Sequence, residues 1–249
     1  MILIHGLGSD HRYWDEFTPR FSNEFAVVAL DLPGHGNQAQ RLSAPEGHAR
    51  VLAARVAGLL DDLGIERPHV VGLSLGGWVA LELAAMGQCA SVVALSPAGL
   101  WAEGTRVRQE RQSLTLGPLV RALDRALPSL TRQPWVKKLA LAKNVAKPER
   151  VSNESFLAAA RAIGMSRGYS ACEKAMVANH FRNGSRIEIP ATVAFGDNDR
   201  VFPASKFQNT SELPAHTRIE VIADCGHAMT WDQPDVCLEL IRSTIRLAK

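Results

Sequence analysis

Short apolar runs rich in valine, isoleucine and alanine recur along the chain as ILI (2–4), FAVVAL (25–30), HVVGL (69–73), SVVAL (91–95), ATVAF (191–195) and RIEVI (218–222). Most are too short for helices and lack strict alternation of apolar and polar positions, so they read as strands covered on both faces of a parallel sheet. Segments with helical spacing lie between them. From Glu46 to Leu63 the residues Val51, Leu52, Val56, Leu59, Leu60 and Leu63 form one apolar stripe that stops at Gly64, and a second helical segment runs from Leu75 to Met86 and stops at Gly87. Strand alternating with helix predicts an α/β fold with a doubly wound, mostly parallel sheet.

The alternation fails between about residues 100 and 185. There the chain becomes leucine-rich and basic, and Pro118, Pro128, Pro134 and Pro148 punctuate what reads as several short helices. The apolar residues of this stretch (Leu114, Leu116, Leu119, Leu123, Leu127, Leu130, Trp135, Leu139) need a surface to bury against, so it reads as an insertion seated on the sheet and not as a linker. The predicted organisation is therefore a core of residues 1–99 and 186–249 with a helical insert at 100–185. Residues 100–183 hold 15 Lys plus Arg against 6 Asp plus Glu, so the insert is strongly positive although the whole chain carries only +3.

With 249 residues, 46% hydrophobic and 21% charged, the chain has the composition of an ordinary globular protein and buries roughly 70–75% of the surface its unfolded form exposes. A water-excluding site fits in such a core. No run approaches the ~18 apolar residues of a membrane span. The start MILIHGLGSD shows neither a basic leader nor a small-residue cleavage site, so a cytoplasmic location is expected. The four cysteines (Cys89, Cys172, Cys225, Cys237) are widely spaced without a CxxC pair and read as free thiols, with no zinc site. GLSLGGW lacks the Lys-Ser/Thr ending of a P-loop, HGLGSD is not a G-x-G-x-x-G turn, and no H-E-x-x-H occurs. Nucleic-acid binding is not expected, because the basic residues lie among leucines without a pattern of stacking aromatics.

The chemistry gathers at VVGLSLGGWVALELAA (70–85), where Ser74 sits between glycines as a strand-like run becomes a helical one. A sharp strand-to-helix turn displays such a serine at the carboxyl edge of a sheet, and the glycines remove side chains that would collide around it. A serine hydroxyl is a weak nucleophile near neutral pH and needs a base, which in turn needs an orienting carboxylate. Both are found past later strand-like runs: His227 in VIADCGHAMTWDQP, and either Asp197 or Asp199 in ATVAFGDNDRVFP. The chain order serine, aspartate, histidine suits successive strand ends of this kind of fold.

Five motifs, HGLG (5–8), DLPGHG (31–36), GLSLGG (72–77), GDND with its following proline (196–203) and GHAMTWDQP (226–234), make the chain resemble the α/β-hydrolase superfamily over nearly its full length. The resemblance implies an α/β-hydrolase fold with Ser74 as nucleophile, His227 as general base and Asp199, in preference to Asp197, as the carboxylate. It also implies an oxyanion hole built from the backbone N–H groups of Leu7 and Leu75, each well-aimed donor being worth about 2.7–4 kcal/mol of barrier. His5, Gly6 and His35 are expected to shape loops. Residues 100–185 match the helical cap of such enzymes, and Trp101, Phe156, Met165 and Tyr169 are its candidate pocket residues. Members of the superfamily usually carry an antiparallel hairpin before the HG-containing strand, which here starts at residue 2, so either the hairpin is absent or the sequence begins inside a longer product. No metal or organic cofactor is implied.

The resulting expectation is a serine hydrolase that cleaves a carboxylic ester or related small-molecule acyl compound through an acyl-enzyme. Cleavage of a carbon–carbon bond or an enol-lactone by the same triad is the alternative within enzymes. A ligand receptor of the same fold with little turnover is the alternative of another class. Dehalogenases and epoxide hydrolases of the superfamily carry aspartate at the position of Ser74, which counts against those activities. The insert's positive charge is open to three readings: solvated helix faces, attraction for an anionic substrate, or docking of an acidic carrier protein. The last follows from a motif set similar to that of esterases acting on pimeloyl groups attached to acyl carrier protein.

Overall fold

Among the described residues six strands, β1 (Ile2–Ile4), β2 (Val28–Leu30), β3 (His69–Leu73), β4 (Ser91–Leu95), β5 (Ala191–Gly196) and β6 (Arg218–Ile222), form one sheet in the order β2-β1-β3-β4-β5-β6. Every neighbouring pair runs parallel. The computed structural model describes residues 1–21, 23–105 and 112–248; the side chains of 112–116 and 205, and with them the expected burial of Leu114 and Leu116, lie outside that description. The doubly wound sheet read from the sequence is present, and it is parallel throughout rather than mostly so.

Successive side chains of a strand point to opposite faces, and this splits the core in two. Ile2, Ile4, Val70, Val92, Ala94, Val193 and Phe195 face one core, which α1 (Ala49–Asp62) and α2 (Leu75–Ala85) cover. Leu3, Val71, Leu73, Val93, Leu95 and Ala194 face the other, where they meet Trp14, Phe17 and Phe21 of the N-terminal segment. Leu240, Ile241 and Ile245 of the last long helix, Pro234–Arg246, complete this second core. Near-continuous apolar strands are the consequence of cover on both faces, as the sequence pattern suggested. β6 departs from it: Ile219 and Val221 are exposed, because β6 lies at the end of the sheet and has a neighbour on one side only.

α1 begins after a turn of 3-10 helix at Pro45–Gly47, three residues later than the apolar stripe suggested. Its buried face is Ala49, Leu52, Ala53, Val56 and Leu60, a 3.6-residue spacing, while Val51 and Leu63 fall off that face and are exposed. α2 is different. All ten residues from Leu75 to Ala84 are buried, because the helix packs between the sheet, α1 and Trp101. The close packing begins at its first turn: a Cβ on Gly72 would lie 2.1 Å from the Gly76 carbonyl oxygen.

Between β4 and β5 the described chain forms α3 (Gln112–Ala122), α4 (Leu127–Leu130), α5 (Pro134–Leu141), α6 (Asn153–Met165) and α7 (Tyr169–Ala178). The side chain of Ser152 caps α6 by accepting from the Ser155 N–H. Here one expectation needs correcting. Leu127 is buried, but Leu119, Leu123, Trp135 and Leu139 are exposed rather than packed on the sheet. The residues of each pair stand four apart, Leu119 on α3 with Leu123 just past its end and Trp135 with Leu139 on α5, and helical periodicity carries each pair to the face that turns away from the core.

The contact between Gly72 and Gly76 is backbone on backbone and has no side chain to yield. Gly72→Ala is expected to destabilise the protein by about 3 kcal/mol, measured as a lower urea midpoint at unchanged m-value.

Candidate active site

Each element of the site stands at the carboxyl edge of the sheet. In strand order β1 lies between β2 and β3, so the chain leaves β1 toward one side and crosses to the other before β3. Loops that diverge at such a switch point leave a crevice where ligands bind. The two loops bordering it are HGLG after β1 and the turn after β3 that carries Ser74.

Ser74 takes φ +56 and ψ −118, a conformation that L-residues rarely adopt. Several backbone bonds hold it there. Its N–H donates to the Leu95 carbonyl, and its own carbonyl accepts from the N–H groups of Trp78 and Ala98. The β1 loop comes up against it closely: a Cβ on Gly6 would lie 3.2 Å from the Ser74 Cβ, and one on Gly76 would lie 2.3 Å from the Ile4 carbonyl oxygen. Leu75 occupies the first position of α2, where an amide has no acceptor within its own helix. Leu7 follows Gly6 in the HGLG turn and is half-buried against the core.

His227 and Asp199 meet in a buried pair. The His227 Nδ1 lies 2.8 Å from Asp199 Oδ2, and both residues are 6% exposed, as Ser74 is 7%. With Nδ1 donating to the carboxylate, the Nε2 lone pair is left as the basic site of the ring. The other carboxylate oxygen of Asp199 accepts from the N–H groups of Val201 and Phe202, both at 2.8 Å. Burial alone would raise the Asp199 pKa, but His227 and these two amides outweigh it and hold the carboxyl below its usual range. Asp197 serves elsewhere: its exposed carboxylate accepts from the Cys225 N–H and from the Asn198 side chain.

Two supporting residues went unassigned in the sequence, and a third, His5, was expected to shape its loop. The Phe202 ring stands edge-on to His227 at 5.0 Å between centroids and restricts the ring's tilt. Asp232, buried at 2%, accepts from the N–H groups of Gly226, Ala146 and Lys147, so it ties the His227 loop to the insert. Nothing in GHAMTWDQP singles out this aspartate, because its partners are backbone groups that leave no trace in composition. His5 bridges two loops, its Nδ1 donating to the Gly6 carbonyl and its Nε2 accepting from the Leu32 N–H.

The four candidate pocket residues part company. Trp101 is buried among Trp78, Phe202 and Phe207 and donates to the Asn179 carbonyl. Phe156 is buried in the second core. Met165 is half-exposed, and Tyr169 lies against the HGLG turn, where a Cβ on Gly8 would come within 2.7 Å of its ring. The four cysteines are all buried free thiols. No helix among the described residues is long and apolar enough to cross a membrane.

His5 and His35 lie wholly buried with ring centroids 5.3 Å apart. Burial pushes both pKa values down, that of His35 to about 3. A base whose folded pKa is depressed stays neutral in the fold while the unfolded chain takes up the proton, so its stabilising contribution is present above about pH 6.5 and is lost as pH falls. Stability is expected to drop by up to about 1.4 kcal/mol per pH unit for His35 as pH falls below about 6.5. Urea midpoints across that range check it, and His35→Gln should flatten the slope.

Comparison with known proteins agrees with this architecture. The family model described as the alpha/beta hydrolase family matches residues 1–240. The epoxide hydrolase EphH of Mycobacterium tuberculosis is 32% identical over 200 residues, which cover 78% of this chain and 94% of that protein. The dihydrolipoyllysine-residue acetyltransferase component of the acetoin cleaving system of Cupriavidus necator is 30% identical over 238 residues, 91% of this chain but 58% of that protein. Among solved structures, the enol-lactonase from Burkholderia xenovorans LB400 superimposes with a TM-score of 0.72 at 21% identity, covering 98% of this chain and 90% of that one. A thermophilic esterase from Thermogutta terrifontis gives 0.70 at 20% identity, covering 99% and 89%. At such identities the two structures bear on the fold alone.

Proposed function

The chain belongs to the alpha/beta hydrolase family, and within it we propose a serine hydrolase that cleaves a carboxylic ester or related small-molecule acyl compound in two acyl-transfer steps. The observation that carries the proposal is the pairing of a strained serine at φ +56 on the β3–α2 elbow with a buried histidine–aspartate pair, bonded at 2.8 Å, at the same edge of the sheet.

Ser74 attacks the carbonyl carbon as His227 Nε2 takes the hydroxyl proton. Asp199 holds the ring in the tautomer that leaves Nε2 basic, and its charge stabilises the imidazolium that forms. The developing oxyanion is met by the N–H groups of Leu75, at the positive end of α2, and of Leu7. His227 returns the proton to the leaving group, then activates a water that releases the acid. The insert at 100–185 serves as a cap over this edge, tied to the His227 loop through Asp232.

Epoxide opening, the activity named for one relative, is disfavoured. The elbow presents a hydroxyl that needs a base, whereas the epoxide hydrolases of the superfamily carry a carboxylate there.

Ser74→Ala is expected to lower kcat on simple esters by about 10⁶-fold and to abolish labelling by a fluorophosphonate probe. Persistent labelling would overturn the nucleophile. Asp199→Asn should cost about 10⁴-fold in kcat, whereas Asp197→Asn, whose carboxylate faces away from His227, should leave kcat within about threefold. Steady-state kinetics on the two purified variants checks the contrast, and the reverse result would exchange their roles.

A further inference from the structure

Between the loop that follows β2 and helices α3, α6 and α7 lies an open cavity of about 930 Å³, within the size range of small-molecule sites. Ser74, Asp199 and His227 do not line it. Its charge is one-sided. Arg41, Arg121, Arg167 and Lys174 line it, and no described aspartate or glutamate does, in a chain with 25 acidic and 28 basic residues.

Some cations on adjoining elements have acidic partners, Arg161 with Asp124 and Arg55 with Glu46. The four around the cavity have no ion-pair partner among the described residues. The Arg121 guanidinium donates to the Gly164 carbonyl at 2.6 Å, which fixes it to the wall and leaves other N–H groups for a ligand. α7 also opens at the cavity, where the N–H of its first residue, Tyr169, donates to the Ser166 carbonyl and its N-cap, Gly168, has no side chain to reach the next amides. Like-charged side chains held together without counterions repel one another, and a bound anion relieves that repulsion.

The cavity and the proposed oxyanion loop share a wall. Tyr169 and Ile163 line the cavity, and the same two side chains pack over Gly8: a Cβ there would lie 2.7 Å from Tyr169 Cε2 and 3.9 Å from Ile163 Cγ1. Gly8 directly follows Leu7. Tyr169 and Ile163 therefore stand between the cations and the loop that carries the Leu7 amide.

We infer that this cavity holds the anionic end, a carboxylate or a phosphate, of the acyl compound whose carbonyl is presented to Ser74; the inference rests on the hydrolase reading above. The substrate is then a small molecule with its ester or related bond at one end and an oxyacid at the other. Arg41 and Arg167 recognise that oxyacid and act on binding rather than on the chemical step.

Two substrates of equal length isolate the effect, because mono-para-nitrophenyl glutarate carries a carboxylate where para-nitrophenyl pentanoate carries a methyl group. The Arg41→Ala/Arg167→Ala double variant removes two side chains that make no hydrogen bond to the described chain, so its fold should be intact. It is expected to raise KM for the glutarate ester about tenfold with kcat little changed, as loss of two exposed charge-assisted contacts would. KM for the pentanoate ester should not move. Equal losses on both esters, or no loss on either, would overturn the inference.

Calorimetric titration of the wild type and the double variant with inorganic pyrophosphate and with glutarate tests the site without turnover. Binding should weaken about tenfold in the variant and fall as salt rises, and the tighter of the two ligands shows whether the oxyacid is a phosphate or a carboxylate. If neither ester is cleaved but an anion binds through the arginines, the hydrolase reading fails and the anion site stands. If the esters are cleaved and neither anion binds, the anion site fails alone. Inhibition of glutarate-ester cleavage that is not competitive would refute its role in holding the substrate.

Discussion

Everything at the catalytic edge depends on how closely three backbones approach one another. β3 ends, α2 begins, and the end of β1 comes up against α2, with no room for a single extra carbon: a Cβ on Gly72 would meet the Gly76 carbonyl, and one on Gly76 would meet the carbonyls of Ile4 and His5. Steric exclusion of this kind does two jobs. It holds Ser74 in its strained backbone conformation, and it brings the HGLG loop against the serine. The strain of roughly 1–3 kcal/mol is carried by the packing around it, above all by the buried residues of α2 and by the two amides that bond the Ser74 carbonyl.

A second set of constraints is polar and buried. Asp199, Asp232 and His5 each satisfy backbone N–H groups from loops that otherwise have no regular partner. A buried carboxylate is costly unless its oxygens are hydrogen-bonded, and here each is matched to amides of a loop that must not move. Asp199 fixes both the imidazole and the loop that ends at Phe202. Asp232 links the His227 loop to residues 146 and 147, so the position of the base and the seating of the insert are coupled through one side chain.

The insert itself divides into a face packed on the core and a face turned outward. Leu127, Leu141, Val145 and Phe156 are buried, whereas Trp135 and Leu139 are exposed. Its excess positive charge divides in a similar way. Part is neutralised in surface pairs such as Arg161 with Asp124. Part is gathered with Arg41, from the far side of the sequence, around the open cavity beside Tyr169. The charge is thus spread over the insert, with one concentration at this cavity.

Much of this was already written in the chain. Apolar runs such as SVVAL and ATVAF determine strands covered on both faces because each residue must find cover on one side or the other, and the spacing of Leu52, Val56 and Leu60 determines which side of α1 is buried. Gly72, Ser74 and Gly76 mark the elbow because only small residues fit so sharp a turn. The choice between Asp197 and Asp199 could not be read from residue types or local spacing, and only the resemblance to a family favoured Asp199. In the fold one carboxylate reaches His227 and the other a backbone amide, because the loop's conformation sets their directions. Tertiary structure alone assigned the roles of Asp232 and Phe202, gave His5 its partner in the loop after β2, placed Trp101 and Phe156 in the cores, left Trp135 and Leu139 exposed, and gathered Arg41 with Arg121, Arg167 and Lys174. The physical reason is the same in each case. Local sequence determines which faces must be buried and where the backbone must bend, whereas the partner of a side chain distant in sequence is decided only when separate elements pack.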